Sequence, residues 1–140
     1  MKIVWSLRVV GLALCLNCLG AQTGDTPEKA ATAAAELWLS QIDTRSYAVS
    51  WRKASAYFQG AVTEQAWTAS LDGLRKPLCV LVSRKLKSTQ HTKAVPSALD
   101  GEYVIMQFET SFEHKKTAIE TVTFLQDKNG KWKAAGYYIK

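Results

Sequence analysis

Two glutamates, Glu109 and Glu120, have the spacing that could support acid–base chemistry. They fall on consecutive predicted strands, and closing the intervening segment Glu113–Lys116 as a short turn would place them directly opposite each other. Paired carboxylates can separate their pKa values, so that one acts as an acid and the other as a base. The same predicted face carries Lys131 and Lys133, so solvated cross-strand charges are the simpler explanation. We therefore predict no catalytic residue. If the protein is an enzyme, Glu120 and Glu109 are the candidates for its acid and base.

The residues that could bind a soft metal or act as nucleophiles are Cys79, His91 and His114. The two histidines flank a predicted strand of about ten residues, which separates them by about 30 Å and excludes a zinc site that uses both. Cys79 and His114 fall at the same predicted end of the sheet, where a cysteine–histidine nucleophile would need them, with Glu113 as its one acid. A buried, inert cysteine is the favoured interpretation. The sequence therefore predicts no metal site and no cofactor.

Basic residues occur in several short groups along the chain, and together they could form a positive surface. The chain has 18 Lys and Arg against 12 Asp and Glu, a formal net charge of +6. Interspersed acids make ordinary solvation the first explanation, and an anionic envelope surface or an acidic protein is the electrostatic partner that fits best. No phosphate-binding loop, nucleophile elbow or zinc-binding helix occurs in the sequence. The groups are Arg75-Lys76, Arg84-Lys85, Lys87, Lys93 and Lys115-Lys116.

The first residues have the pattern of a secretory signal. Lys2 and Arg8 precede an uncharged run, Val9–Leu19, and the small residues Gly20-Ala21 follow it. The run is too short to span a membrane. We therefore expect a signal peptide over residues 1–21, a single domain over 22–140, and an exported protein that is periplasmic or secreted. Export also argues against nucleic acid as a partner.

Removal of residues 1–21 would change both charge and thiol content. It lowers the 18 basic residues to 16 against 12 acidic ones, a net charge of +4. It also removes Cys15 and Cys18, which leaves Cys79 as the one thiol. No intramolecular disulfide can then form, although the destination is oxidising.

Three helices are predicted in the first half of the domain. Thr26-Pro27-Glu28 is a helix start with a capping hydroxyl, a proline at the first position and an acid in the first turn. A second, short helix contains Tyr47, and a third begins at Thr63 and ends at Pro77. Apolar residues at three- and four-residue steps predict a buried face on each helix. The tryptophans assigned to the core are Trp38, Trp51 and Trp67.

Beyond Pro77 the apolar period changes to two, which predicts strands. Asn129-Gly130 is the strongest hairpin signal, and the short connections indicate an antiparallel meander. Helices that precede strands give an α+β class, with three N-terminal helices packed on one face of a four-stranded antiparallel sheet. The predicted strands are Val80–Lys93, Glu102–Phe112, Thr117–Gln126 and Lys131–Ile139.

Hairpins without bulges would fix which side chains face the helices. Under that condition the core face contains no carboxylate. Its members are Val104, Met106, Phe108, Phe112, Ile119, Leu125, Trp132, Ala134 and Tyr138. The opposite face carries Tyr103, Ile105, Gln107, Glu109, Glu120, Val122, Phe124, Lys131, Lys133 and Tyr137.

Nearly all of the predicted domain resembles one bacterial family. The matching segments are Ala35–Leu39, Tyr47–Trp51, Arg75–Leu78, Leu81–Arg84, Gly101–Phe108, Glu120–Thr123 and Trp132–Tyr137, together with Trp67. They are similar to a family of small exported proteins catalogued as domain of unknown function 4019. The resemblance implies a cystatin-like or nuclear-transport-factor-like cone, and it implies no activity.

These observations favour a non-enzymatic domain that binds a protein or a small ligand in the cell envelope. One alternative is a periplasmic inhibitor or immunity-type protein, which an exposed apolar or charged patch at a sheet edge would favour. The other is a small-molecule isomerase or hydrolase that uses the cone, which a polar pocket with a buried acid would favour.

Overall fold

The computed structural model describes residues 24–140, so the predicted signal peptide, Cys15 and Cys18 lie outside the described residues. Four helices precede four strands, which makes the chain an α+β protein. The helices are α1 (Pro27–Asp43), α2 (Tyr47–Lys53), α3 (Ala56–Ala61) and α4 (Glu64–Arg75). The strands are β1 (Leu81–Thr92), β2 (Tyr103–Phe112), β3 (Lys115–Gln126) and β4 (Trp132–Ile139).

The helix starts are set by hydroxyl caps. Thr26 accepts a hydrogen bond from the backbone nitrogen of Lys29, at 3.3 Å, and Thr63 accepts one from Ala66, at 3.1 Å. Both predicted starts are confirmed. The prediction of three helices is wrong, because Ser55 caps the additional six-residue helix α3 by accepting from Phe58, at 3.1 Å.

The strands form one antiparallel sheet in the order β1-β2-β3-β4, which is the predicted meander. The helices cover one face of this sheet, and the hydrophobic core lies between the helices and the sheet. Trp38 stacks on Trp67 with ring centroids 6.0 Å apart and meets the edge of Phe124 at the same distance, which joins helices to sheet. Trp38 and Trp67 are buried as predicted, whereas Trp51 is half-buried at the margin of the core.

A register shift near the β2–β3 turn overturns the predicted faces of β3. The shift lies between Thr110 and Phe112, and Phe108 consequently pairs with Glu120 rather than with Thr121. Side chains alternate along a strand, so one extra residue moves every later side chain to the other face. Glu120, Val122 and Phe124 therefore lie in the core, at 0%, 0% and 1% exposure.

A second register shift lies between Thr123 and Phe124 in the β3–β4 pairing. It likewise reverses which side chains at the end of β4 face the core. Ala134 faces the core as predicted. Beyond the shift, Tyr137 packs against the core cluster, and Tyr138 is 51% exposed. The predicted positions of these two tyrosines are therefore reversed.

Within residues 24–140, no helix is both long and apolar enough to span a membrane.

Candidate functional site

Charged side chains lie on the face of the sheet that packs against the helices, where the sequence predicted no carboxylate. Glu120 is fully buried, and its Oε1 accepts hydrogen bonds from Arg84 Nε and Thr110 Oγ1, both at 2.7 Å. Its Oε2 accepts from Arg84 Nη2 at 3.2 Å and from the hydroxyl of Tyr137 at 2.5 Å. The prediction that the core face has no carboxylate is therefore wrong. We call the following residues the ionic cluster: Asp43, Arg75, Arg84, Thr110, Glu120 and Tyr137.

Asp43, the last residue of α1, completes the charge balance of the ionic cluster. Its Oδ1 accepts from Arg75 Nη2 at 2.7 Å and from Arg84 Nη2 at 2.9 Å, and its Oδ2 accepts from Arg84 Nη1 at 2.7 Å. Two arginines thus face two carboxylates, which is the condition under which charges are tolerated inside a protein. The cluster ties α1 and α4 to the sheet.

The pKa values of the ionic cluster move in the directions that this pairing requires. Burial alone would raise the pKa of Asp43, but hydrogen bonds from Arg84 and Arg75 outweigh it and lower that pKa. Burial opposes the charge of Arg84, but the two carboxylates raise the pKa of its guanidinium. Burial first, and the charge of Glu120 second, raise the pKa of the Tyr137 hydroxyl. These shifts hold Asp43 and Arg84 charged and Tyr137 neutral.

The geometry leaves little acid–base capacity in the ionic cluster. Both oxygens of Glu120 are occupied by two donors each, and Glu120 lines none of four principal cavities on residues 24–140. Glu109 pairs in register with Ile119, is exposed, and lies 3.6 Å from the Nζ of Lys87. The predicted apposition of Glu109 and Glu120 is therefore wrong, because the bulge turns Glu120 to the opposite face.

One signal in the sequence could have located part of the ionic cluster. Arg75 continues the apolar stripe of α4 at the same four-residue step as Trp67 and Leu71, and it is 5% exposed. A charged residue on a buried stripe requires a buried partner of opposite charge. Asp43 and Glu120 are those partners, with the Arg75 nitrogens at 2.7 Å and 4.0 Å from their carboxylates.

A cleft opens between the helices and the β4 side of the sheet, with a volume of about 410 Å³. We call it the basic cleft. Trp38 and Phe124 are buried in its floor, Trp132 forms a half-buried wall, and Leu37 is 72% exposed at its mouth. Its lining residues are Ala34, Leu37, Trp38, Gln41, Arg52, Lys53, Phe124, Lys131, Trp132 and Lys133.

Four of the lining residues are cations, and two of these have carboxylate partners. Arg52 is 3.1 Å from Glu64, and Lys133 is 3.2 Å from Asp127. Lys53 and Lys131 have no carboxylate within 4.0 Å in the part of the chain that the structure describes. The basic cleft therefore has an uncompensated positive rim above an apolar floor.

Local structure explains how the basic cleft is assembled. Ala34, Leu37, Trp38 and Gln41 follow helical spacing and lie on one face of α1. On the opposite wall, Asp127 Oδ1 accepts from the backbone nitrogens of Asn129 and Lys131, both at 2.9 Å.

These bonds hold the β3–β4 hairpin, where Gly130 takes a positive φ of 76° as the Asn129-Gly130 signal predicts. Backbone donation from Lys131 is also the main cause that lowers the pKa of Asp127. The hairpin thereby fixes Lys131 at the rim of the basic cleft.

Cys79, Glu113 and His114 meet at the end of the sheet where β2 turns into β3. One ligand atom from each lies within 4.8 Å of the others. The expected proximity of Cys79 and His114 is confirmed, but Cys79 is partly exposed rather than buried. His91 is elsewhere, with its Nε2 2.5 Å from Glu102.

Comparison with known proteins places the chain in a family. Residues 34–137 match the model of a family described as "Protein of unknown function (DUF4019)". The chain belongs to the DUF4019 family. All residues of the ionic cluster and of the basic cleft lie within the matched range, so both features are part of the DUF4019 domain itself.

Among solved structures, the DUF4019 chain is similar to Aln2 from a Streptomyces species. The TM-score is 0.51 at 9% sequence identity, and the match covers 83% of this chain and 92% of that chain. Identity this low supports a shared fold and nothing about activity. No protein with a curated description matches the DUF4019 chain at a significant level.

Proposed function

We propose that this DUF4019 protein is an exported, non-catalytic binding domain, and that the basic cleft takes a small anionic ligand with an aromatic or alkyl body. The observation that carries the proposal is the combination of an apolar floor, Trp38 and Phe124, with the uncompensated cations Lys53 and Lys131. An apolar body would bury its surface against Leu37 and the half-buried Trp132, which lie beside these two rings, while its charged head remains at the rim.

The size of the basic cleft supports a small molecule rather than a protein segment. Its volume of about 410 Å³ lies toward the lower end of the range in which proteins bind small molecules, about 300–1,000 Å³. Charge supports an anion, because charge-assisted hydrogen bonds are about twice as strong as neutral ones. Gln41 adds a polar group, since its Oε1 is buried without a hydrogen-bond partner among residues 24–140. A donor on the ligand that reached this oxygen would remove the cost of leaving it unpaired.

The buried acid would favour catalysis only if a substrate could reach it. Glu120 is fully buried, is bonded to Arg84, Thr110 and Tyr137, and lines none of the four principal cavities on residues 24–140. We therefore assign the ionic cluster a structural role and the basic cleft the functional one.

A second candidate function, inhibition of another protein, has one observation in its favour. The edge strand β1 and the residue before it expose apolar side chains, with Val80 at 58% and Val82 at 64%. An exposed edge can accept a strand from a partner. Register shifts around Val82 and Lys87 interrupt this edge, however, and bulges and lysines are the usual protection against such pairing. We therefore rank it below ligand binding.

Calorimetric titration with two matched probes tests the proposal. The anion 2-naphthoate and the uncharged 2-naphthamide share an aromatic body, so they differ mainly in charge. We expect 2-naphthoate to bind with one site per chain, and to bind at least about tenfold more tightly than the amide, a difference of about 1.4 kcal/mol. Added salt should weaken the binding of 2-naphthoate and leave the binding of 2-naphthamide unchanged.

Matched variants locate the site of binding. Lys53→Gln combined with Lys131→Gln should reduce the affinity for 2-naphthoate about tenfold and leave 2-naphthamide unchanged. Lys76→Gln, on an exposed lysine outside the basic cleft, makes the same type of charge change and should have no effect. Equal affinity for the two probes, or equal loss in all variants, would contradict the proposal.

Export is tested separately by mass spectrometry of the protein from its producing cell. The mature form should begin near Ala21 or Gln22. A full-length species, or a lipid attached to Cys15 or Cys18, would contradict it.

A further inference from the structure

The group of Cys79, Glu113 and His114 offers three different metal-binding atoms at one point on the surface. A sulfur, a carboxylate oxygen and an imidazole nitrogen lie within 4.8 Å of one another. We infer that these three residues form a Zn²⁺ site that leaves one coordination position open to solvent. The inference departs from the sequence-based expectation of no metal site, and it is independent of ligand binding in the basic cleft.

The distances are compatible with Zn²⁺ after small side-chain movements. Zn²⁺ binds sulfur at about 2.3 Å and nitrogen or oxygen at about 2.0–2.2 Å in tetrahedral geometry, so its ligand atoms are about 3.3–3.8 Å apart. Closing from 4.8 Å therefore requires shifts of about 1 Å. Glu113 and His114 are exposed and Cys79 is partly exposed, so their side chains can rotate without repacking the core.

The hydrogen bond of His114 leaves its Nε2 available to a metal. Its Nδ1 lies 3.1 Å from the backbone carbonyl of Pro77. A carbonyl oxygen only accepts, so Nδ1 carries the proton and donates, and the neutral ring keeps its lone pair on Nε2. Metal-bound histidines commonly have this arrangement, because a carbonyl on the second nitrogen fixes both the tautomer and the ring orientation.

The backbone holds the three residues together before any metal binds. The backbone nitrogen of Glu113 donates to the carbonyl of Val80 at 2.9 Å, and that of His114 donates to Leu78 at 3.2 Å. These bonds join the segment around Cys79 to the β2–β3 turn. Cys79 itself has a positive φ of 62°, which is uncommon for a residue with a side chain.

Charge and proton balance favour a divalent cation. On Zn²⁺ binding the S–H bond of Cys79 breaks, a sulfur–zinc bond forms, and the proton leaves to solvent. The resulting thiolate and the carboxylate together carry two negative charges, which neutralise the metal. A water molecule would complete the tetrahedron.

Zn²⁺ and Co²⁺ titrations of the full chain test this site. Cys15→Ser and Cys18→Ser are introduced first, so that Cys79 is the one thiol. We expect one Zn²⁺ per chain, measured by competition with a metal-binding dye. Co²⁺ should give a sulfur-to-cobalt charge-transfer band and the visible absorption of tetrahedral cobalt.

Single variants in this background assign the ligands. Cys79→Ser should abolish the charge-transfer band, and Cys79→Ser and His114→Gln should each weaken Zn²⁺ binding at least about tenfold. His91→Gln is the matched control, because His91 also has a carboxylate neighbour, Glu102, and it should leave binding unchanged. A Zn²⁺ affinity that Cys79→Ser leaves unchanged, or that His91→Gln lowers as much as Cys79→Ser does, would overturn the inference. Absence of stoichiometric binding to the background chain would overturn it as well.

Discussion

Arg84 and Glu120 are joined by two hydrogen bonds, from Nε to Oε1 at 2.7 Å and from Nη2 to Oε2 at 3.2 Å. Arg84 lies on β1 and Glu120 on β3, so the pair reaches across the intervening strand β2. Thr110 on β2 and Tyr137 on β4 bind the same carboxylate. All four strands are therefore connected through one buried side chain.

Glu120→Gln should be strongly destabilising, because it leaves two buried arginines, Arg75 and Arg84, with Asp43 as their one carboxylate. Breaking a buried ion pair by removing one member costs about 3–5 kcal/mol. Chemical denaturation measures the change in the free energy of unfolding. Glu109→Gln, on an exposed carboxylate of the neighbouring strand, is the control and should change that free energy by less than about 0.5 kcal/mol. Equally small effects in the two variants would show that the ionic cluster does not stabilise the fold.

Asp43 should make stability depend on pH in the acid range. Its pKa is lowered in the folded protein from an ordinary value of 3.8, so in this range the unfolded chain binds the proton more readily. Its contribution is present above that value and is lost as the pH falls through the folded-state pKa.

Denaturation curves recorded from neutral to acid pH test this dependence. Asp43→Asn should lower stability at neutral pH and make the decline below about pH 4 shallower. A decline of the same slope in the variant and the unmodified protein would exclude this role for Asp43.

The sheet shows which parts of the fold can be read from a sequence and which cannot. The capping residues Thr26 and Thr63, and the hairpin at Asn129-Gly130, act over a few residues, so local sequence predicts their positions correctly. The bulge between Thr110 and Phe112 has no comparable local signal. It is favoured because it places Val122 and Phe124 against the helices, and that benefit depends on residues far away in the sequence.

Ser50 should be important for packing of the tryptophans. Its side chain is buried, accepts a hydrogen bond from Trp67 Nε1 at 3.0 Å, and donates one to the carbonyl of Tyr47 at 2.7 Å. Ser50→Ala leaves the indole nitrogen of Trp67 without its acceptor in the core, which should cost about 1–3 kcal/mol. Thermal and chemical denaturation measure this loss. Ser70→Ala, on the exposed face of α4, is the control and should leave the free energy of unfolding unchanged. An equal loss of stability in both variants would contradict this role of Ser50.

Thr121 offers a substitution that should stabilise the protein. It is 6% exposed, and its hydroxyl has no hydrogen-bond partner among residues 24–140. Valine has the same shape without the hydroxyl, so Thr121→Val removes a buried, unpaired polar group. We expect the free energy of unfolding to rise by about 1 kcal/mol. A decrease would show that the hydroxyl has a partner in solution.

The candidate site was less predictable than the fold. The basic cleft combines α1, the end of α2 and the β3–β4 hairpin, which are separated by many residues in the sequence. Lys53 and Lys131 are ordinary surface lysines in the sequence, and only the tertiary structure places them around the same aromatic floor. Cys79 and His114 were predictable because a single hairpin brings them together.

Chemical-shift mapping by NMR with 2-naphthoate tests the central claim most directly. Trp132 lines the basic cleft, whereas the indole of Trp51 is bonded to Val62 outside its lining. We predict saturable shifts at the Trp132 indole and at the backbone amides of Lys53 and Lys131, with the Trp51 indole unaffected. The uncharged 2-naphthamide should produce these shifts only at concentrations at least about tenfold higher. Saturable shifts at the edge of β1 without change at Trp132, or no saturable shift at all, would contradict the account.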